Sequence, residues 1–133
     1  MLLGLLSQAY FYRYEVAELK TIKMAKEQAE EFYAEHKGKP FFKRLVSFMS
    51  SNYIVAIRIE YDADDLGFIE RFRKFVIGDK DPNKAMPGTM RYRFGSKREY
   101  ADGVPANGVH ASDSRESASR ELPFFFPESK YAA

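Results

Sequence analysis

The chain contains no cysteine and no tryptophan, and only two of its 133 residues are histidine. Without cysteine there is no disulfide, no thiolate nucleophile and no sulfur-bound zinc, which fits a reducing compartment. Two histidines, His36 and His110, are too few for a histidine-rich metal centre, so no metal ligands are expected from the protein itself. No run approaches the ~18 apolar residues that a membrane-spanning helix needs. The opening Met1-Leu2-Leu3-Gly4-Leu5-Leu6 lacks a basic leader, and its apolar stretch is too short for a signal peptide. The expected location is the cytoplasm, with no membrane partner. Charge of one sign is also lacking. Twenty-one basic and 19 acidic residues leave +2, which compels neither a nucleic-acid nor a membrane partner.

Aromatics are plentiful instead, with twelve Phe and nine Tyr, so a phenylalanine-heavy core within one domain over 1–133 is expected. Residues 3–13 read as a short helix. Glu15–Met24 alternates apolar and charged residues, as a half-covered strand does. From Ala25 to His36 the spacing turns helical, with Ala25, Ala29, Phe32, Tyr33 and His36 on one stripe. Gly38-Lys39-Pro40 breaks that helix and opens another over Phe41–Met49. Tyr53–Tyr61 is the clearest strand, rich in β-branched residues. Asp64 or Asp65 caps a helix to Ile77. Gly78–Gly108 reads as a long loop, a length that tends to accompany function. Val109–Ser112 reads as a short final strand, and Asp113 with Glu116 as a capping box opening a helix to Leu122. Residues from Pro123 onward form a tail laid back over the body. The order α-β-α-α-β-α-β-α predicts an α+β sandwich, one sheet covered by helices.

Three clusters could carry chemistry. Asn107-Gly-Val-His-Ala-Ser-Asp-Ser114 places His110 between small residues, beside a hydroxyl, at the mouth of a helix. A neutral imidazole there is a competent nucleophile. The plainer reading is a strand end followed by a capped helix. Alternation along a strand puts His110 and Ser112 on one side. On the following helix Glu121 shares the inward stripe, where a carboxylate can hold one imidazole nitrogen and leave the other free; a surface ion pair is the plainer alternative. The second cluster comprises Lys80, Pro87-Gly88-Thr89, Arg91, Arg93, Lys97 and Arg98. Guanidinium forks suit phosphate oxygens, whereas Arg91-Tyr92-Arg93-Phe94 also suits single-stranded nucleic acid. A solvated basic loop is the plain alternative. The third is Tyr33–Leu45, where Phe41 or Phe42 beside a proline turn could stack on a flat ring or belong to the core.

Taken in order, Tyr33-Ala-Glu-His-Lys-Gly-Lys-Pro-Phe-Phe42, Pro87-Gly-Thr-Met-Arg91 and Asn107–Ser114, with Ser117-Ala118 and Glu121 behind them, resemble the nucleoside diphosphate kinase family. The resemblance covers residues 4 to 126, leaving 127–133 as a tail. It implies a ferredoxin-like antiparallel sheet covered by helices. It also implies ping-pong transfer of a γ-phosphate from a nucleoside triphosphate to His110, then to a nucleoside diphosphate. Such chemistry rests on positioning and charge stabilisation. By the same resemblance Glu121 orients His110, Ser112 hydrogen-bonds Glu121, and Tyr33 lies near the nucleophile. Phe41 stacks on the base beside Leu45, and Lys74, Lys80, Arg91 and Asn107 bind phosphate and sugar. Magnesium would be held mainly through nucleotide phosphates. Assembly as a homo-oligomer, hexamer or tetramer, is also implied.

Several positions depart from the family pattern. Family members begin with a central strand carrying Lys-Pro-Asp, and this chain starts inside what corresponds to the first helix. The expectation is therefore a sheet without its first central strand, from a truncated frame or fragment, with activity impaired by the absent lysine. Lys74 stands where an arginine is expected, with Arg73 adjacent. Lys80 replaces a threonine, Tyr92-Arg93 replaces Gly-Asp, and the stretch between Phe94 and Asn107 is long. The alternative function is an impaired nucleotide- or single-stranded nucleic-acid-binding protein of the same fold, using Phe41, Arg91, Arg93, Lys97 and Arg98.

Overall fold

A computed structural model describes residues 1–96 and 107–128. Along them run α1 (Leu2–Tyr12), β1 (Tyr14–Ile22), α2 (Lys26–Phe32), a 3₁₀ turn at Ala34–His36 and α3 (Phe42–Ser51). There follow β2 (Ile54–Tyr61), α4 (Phe68–Phe72) continued by a π-helical turn over Arg73–Ile77, α5 (Met90–Phe94) and α6 (Arg115–Phe125). β1 and β2 form a two-stranded antiparallel sheet, so the class is α+β. Tertiary contacts group the residues into two compact units. The first joins Met1–Val16 to Ile59–Ala118, and the second joins Ala17–Arg58 to the chain from Ser119 onward.

In the first unit, aromatic rings make the core. Tyr61 stacks on Phe68 at 4.0 Å, Phe68 lies 5.5 Å from Phe72, and Tyr14 meets Phe72 edge-on at 5.1 Å. Leu5, Val76, Ile77 and Met90 are buried with them. The Tyr14 hydroxyl donates to the Leu5 carbonyl, tying the first half of α1 to the start of β1. Burial raises the pKa of this phenol to about 12, with Tyr12 adding to the effect. The turn between them needs Arg13 in the left-handed region, at φ 57.

In the second unit Phe32 is the hub. Its ring lies 5.5 Å from both Phe124 and Phe125 and 5.0 Å from Tyr33, with Met24, Ala29, Val46, Ala56 and Phe126 also buried. These contacts explain why α6 runs on to Phe125 instead of ending at Leu122. Packing two half-buried phenylalanines against Phe32 outweighs the backbone donor lost at Pro123. On β1, alternation turns Glu18 and Lys20 to the half-buried side and leaves Leu19 exposed. Glu18 bridges Lys20 at 3.3 Å and Arg58 at 3.5 Å, and the Lys20 ammonium lies over the Phe126 ring.

Four further sequence expectations change. The helix expected over 25–36 is α2 followed by the 3₁₀ turn. The helix expected from Asp64 starts only at Phe68, after Gly67. The long loop contains α5, whose Met90 is fully buried and so draws the backbone inward; residues 97–106, including Lys97 and Arg98, lie outside the described residues. Val109–Ser112 is not a strand. Its carbonyls at Val109 and Ala111 accept from arginine side chains, so the segment is held without a strand partner.

The π turn ends at Gly78, whose N–H donates to the Arg73 carbonyl at 2.7 Å. Its φ of +96 and ψ of 169 belong to glycine almost exclusively, and a Cβ there would meet Thr89 Oγ1 at 2.4 Å. Gly78→Ala is expected to cost about 2 kcal/mol or more in urea unfolding. Gly38→Ala, also at positive φ but with open space around it, is expected to cost about 1 kcal/mol. Equal losses would mean that Thr89 yields freely. Tyr14→Phe is expected to cost about 1 kcal/mol at neutral pH through the lost hydrogen bond. Between pH 10 and 12 an unfolded tyrosine gives up its proton while native Tyr14 keeps it, so stability falls as pH rises. Unfolding midpoints followed across that range should therefore decline less steeply in Tyr14→Phe than in the parent.

Candidate active site

The exposed imidazole of His110 stands on irregular backbone between Gly108 and the start of α6. Side chains rather than a sheet hold that backbone. Arg91 is 5% exposed, and its guanidinium donates through Nε to the Val109 carbonyl and through Nη1 to the Gly78 carbonyl, both at 3.2 Å. Arg73 donates through Nη1 to the Ala111 carbonyl at 2.6 Å. The carbonyls on both sides of His110 are thus each bound to a guanidinium. Burial and then the charge of Arg73, opposed by Asp79, lower the pKa of Arg91 to about 10, so it remains a cation at neutral pH. Gly108 lies against the end of α5, where a Cβ would meet the Phe94 carbonyl oxygen at 2.6 Å. One residue earlier, Asn107 has a buried Oδ1 with no hydrogen-bond partner among the described residues.

The capping expected from Asp113 and Glu116 is made by two serines instead. Ser117 Oγ accepts from the Asp113 and Ser114 N–H groups at 3.0 and 2.9 Å, and Ser114 Oγ accepts from the Ser117 N–H at 3.1 Å. A serine pair three apart closes the box as a Ser–Glu pair would, with a shorter reach. The Ser117 hydroxyl also holds the Asp113 carboxyl below the usual carboxylate range, helped by Arg73. Ser112, half-buried, precedes this cap. Lys74 and Lys80 are both exposed, and the Lys74 ammonium lies over the Phe75 ring at 5.3 Å.

The remaining expected residues belong to the second unit. Tyr33, Phe41 and Leu45 are half-buried, and Glu121 is buried at 7% exposure. Tyr33 stacks toward His36 at 6.0 Å, His36 meets Phe41 at 5.5 Å, and the Lys39 ammonium lies 5.8 Å over the Phe41 ring. Burial, and then the negative charge of Glu121, push the Tyr33 phenol up to about 12, so it stays a donor at neutral pH. Sequence reasoning missed Arg120. Its guanidinium donates to the Phe32 carbonyl at 3.2 Å and pairs with Glu35 and Glu121, each at 3.5 Å. Helical spacing could not mark it, because its partners lie 88 and 85 positions away or next door. A cavity of about 700 Å³ between Ala9–Glu15 and Glu60–Asp62 has no residue of the His110 segment in its lining. Chemistry and not volume therefore locates the site.

A family profile described as nucleoside diphosphate kinase matches residues 5–131. The nucleoside diphosphate kinase of Methanocaldococcus jannaschii is 41% identical over 115 residues, 86% of this chain and 74% of that protein. The Bdellovibrio bacteriovorus protein of the same name is 44% identical over 112 residues, 84% of this chain and 72% of the relative. Among solved structures, the Aquifex aeolicus nucleoside diphosphate kinase matches with a TM-score of 0.73 at 34% identity, over 94% of this chain and 83% of that one. Matches in sequence and fold over most of the length, with the His110 segment inside them, place this chain in the nucleoside diphosphate kinase family of phosphotransferases.

Proposed function

We propose that this chain transfers the γ-phosphate of a nucleoside triphosphate to a nucleoside diphosphate through a phosphohistidine at His110. The observation that carries the reading is an exposed imidazole whose two flanking carbonyls are bound by the cations Arg73 and Arg91. In the first half-reaction a ring nitrogen of His110 attacks the γ-phosphorus. The N–P bond forms, the P–O bond to the β-phosphate breaks, and the nucleoside diphosphate leaves with that electron pair. In the second, a β-phosphate oxygen of another nucleoside diphosphate attacks the phosphohistidine, and the nitrogen recovers its pair. Each step needs alignment and charge neutralisation more than further covalent help.

The other residues divide the supporting work. Arg91 spends two of its five donors on backbone and keeps the rest for phosphate, while Lys74 and Lys80 add exposed positive charge. Asn107 Oδ1, a buried acceptor without a partner among the described residues, suits a sugar hydroxyl. Phe41 stacks on the base beside Leu45, and stacking without edge readout tolerates many bases. Tyr33, protonated at neutral pH, offers a hydroxyl donor. Glu121 orients His110, and Ser112 steadies Glu121. Magnesium arrives with the nucleotide, bound through its phosphates. The described residues contain no group of three His, Cys, Asp or Glu side chains that could cage a metal. Copies of the chain assemble into a tetramer or hexamer in the cytoplasm. Leu3, Tyr10 and Phe11 on α1 offer apolar surface that association can cover.

Intact-protein mass after incubation with ATP and magnesium should show one phosphate adduct that disappears as GTP forms on adding GDP. His110→Ala should give no adduct while keeping the parent's melting transition; transfer by that variant would sink the phosphohistidine reading. Glu121→Gln should keep the adduct but slow its formation by roughly 10- to 100-fold. A folded parent that binds nucleotide and never forms the adduct would instead favour the binding-protein alternative.

A further inference from the structure

The π-helical turn at Arg73–Ile77 has a consequence for which cation serves the nucleophile. A π turn adds one residue to the helical repeat, which rotates the side chains ahead of it by about 100° relative to an uninterrupted helix, and such turns recur at functional sites. Here the turn points Arg73 at the Ala111 carbonyl, 2.6 Å away, and leaves the next residue, Lys74, over the Phe75 ring. Arg91 approaches the same segment from α5 and takes the Val109 carbonyl. We propose that Arg73 is a positioning residue of the transfer reaction, acting with Arg91 as a two-sided clamp on the carbonyls flanking His110.

This inference rests on the kinase reading of His110 and adds a residue that acts through the backbone. Among the described residues 109–112 form no strand, so a sheet ladder does not fix that backbone. Two charge-assisted hydrogen bonds substitute for it, and such bonds are among the stronger ones available to a carbonyl. They grip the 109–110 and 111–112 peptide units, so together they restrict the backbone torsions of His110 and Ala111 and with them the direction in which the imidazole leaves the chain. The two guanidiniums repel each other, as the effect of Arg73 on Arg91 records. Separate acceptors on the one segment, Ala111 for Arg73 and Val109 for Arg91, keep them close in spite of this. An arginine suits the task better than a lysine because a planar fork fixes direction as well as distance.

The test is rapid-quench measurement of phosphoenzyme formation with ATP and magnesium, alongside hydrogen exchange of the peptide covering 107–112. Arg73→Ala is expected to lower the maximal rate at saturating ATP by ~10-fold or more, leave half-saturation within about twofold, and speed exchange in that peptide. Arg73→Lys, which can still reach a carbonyl, should recover part of the rate and of the protection. It also serves if the alanine variant does not fold. Lys74→Ala should show the opposite split, with raised half-saturation and unchanged exchange. A raised half-saturation with a normal rate in Arg73→Ala would make Arg73 a phosphate ligand and overturn the clamp. Unchanged exchange in both Arg73 variants would overturn it as well. A parent chain that never phosphorylates His110 overturns the kinase reading, which is a separate failure: accelerated exchange in Arg73→Ala would then retain the clamp as structure while ending its role in transfer.

Discussion

A buried guanidinium organises the region around His110. Arg91 reaches from α5 to the carbonyls of Gly78 and Val109, two points 31 positions apart in the sequence. Taking a cation out of water costs several kcal/mol unless its donors are met, and here backbone oxygens meet them. The cost works as a constraint. Either carbonyl moving away would leave a buried charge with an unmet donor, so the end of the π turn and the His110 segment are held to one another through a single side chain. The depressed pKa of Arg91 records the expense, and Asp79 offsets part of it.

Gly78 has to meet three demands at once. It closes the π turn through its N–H, presents its carbonyl to Arg91, and passes close to Thr89 with a backbone conformation that side chains resist. No other residue type meets all three. The π turn itself follows from the burial of Val76 and Ile77 directly after Phe75, because the extra residue lets both reach the core before the chain turns. The same adjustment redirects Arg73. Packing of the core and placement of a cation beside the nucleophile are therefore one event in this chain.

Much of this was legible in the residue order, for reasons that differ by element. α3 and β2 were read within a residue or two, since each has a strong period or a dense β-branched run that tertiary contacts do not contest. His110, Glu121 and the Phe41 segment could be singled out because small, polar and aromatic residues at those spacings are chemically conspicuous. Val109–Ser112 is not a strand although its residue order suggests one. Its alternation is that of a strand, but pairing needs a neighbour, and two arginines took its carbonyls instead. The serine cap before α6 was missed for a subtler reason: Glu116 satisfies the usual pattern with Asp113, and only geometry reveals that Ser114 and Ser117 close on each other. Arg73, and Arg120 in its bond to Phe32, stay invisible as partners because a backbone carbonyl, present at every residue, leaves no mark in the sequence.

That last point bears on how such a site tolerates change. A nucleophile at the end of a paired strand is held by a ladder of backbone bonds that no single substitution removes. The carbonyls beside His110 are gripped by two side chains, so one substitution far away in sequence can loosen that grip. The aromatic clusters around Phe68 and around Phe32 contain neither Arg73 nor Arg91. Stability and positioning are accordingly carried by different residues, the first by apolar burial and the second by directional bonds to carbonyls. In a chain built this way, the degree of folding reports poorly on whether the imidazole is aimed, and only measurements on the His110 segment itself report on both.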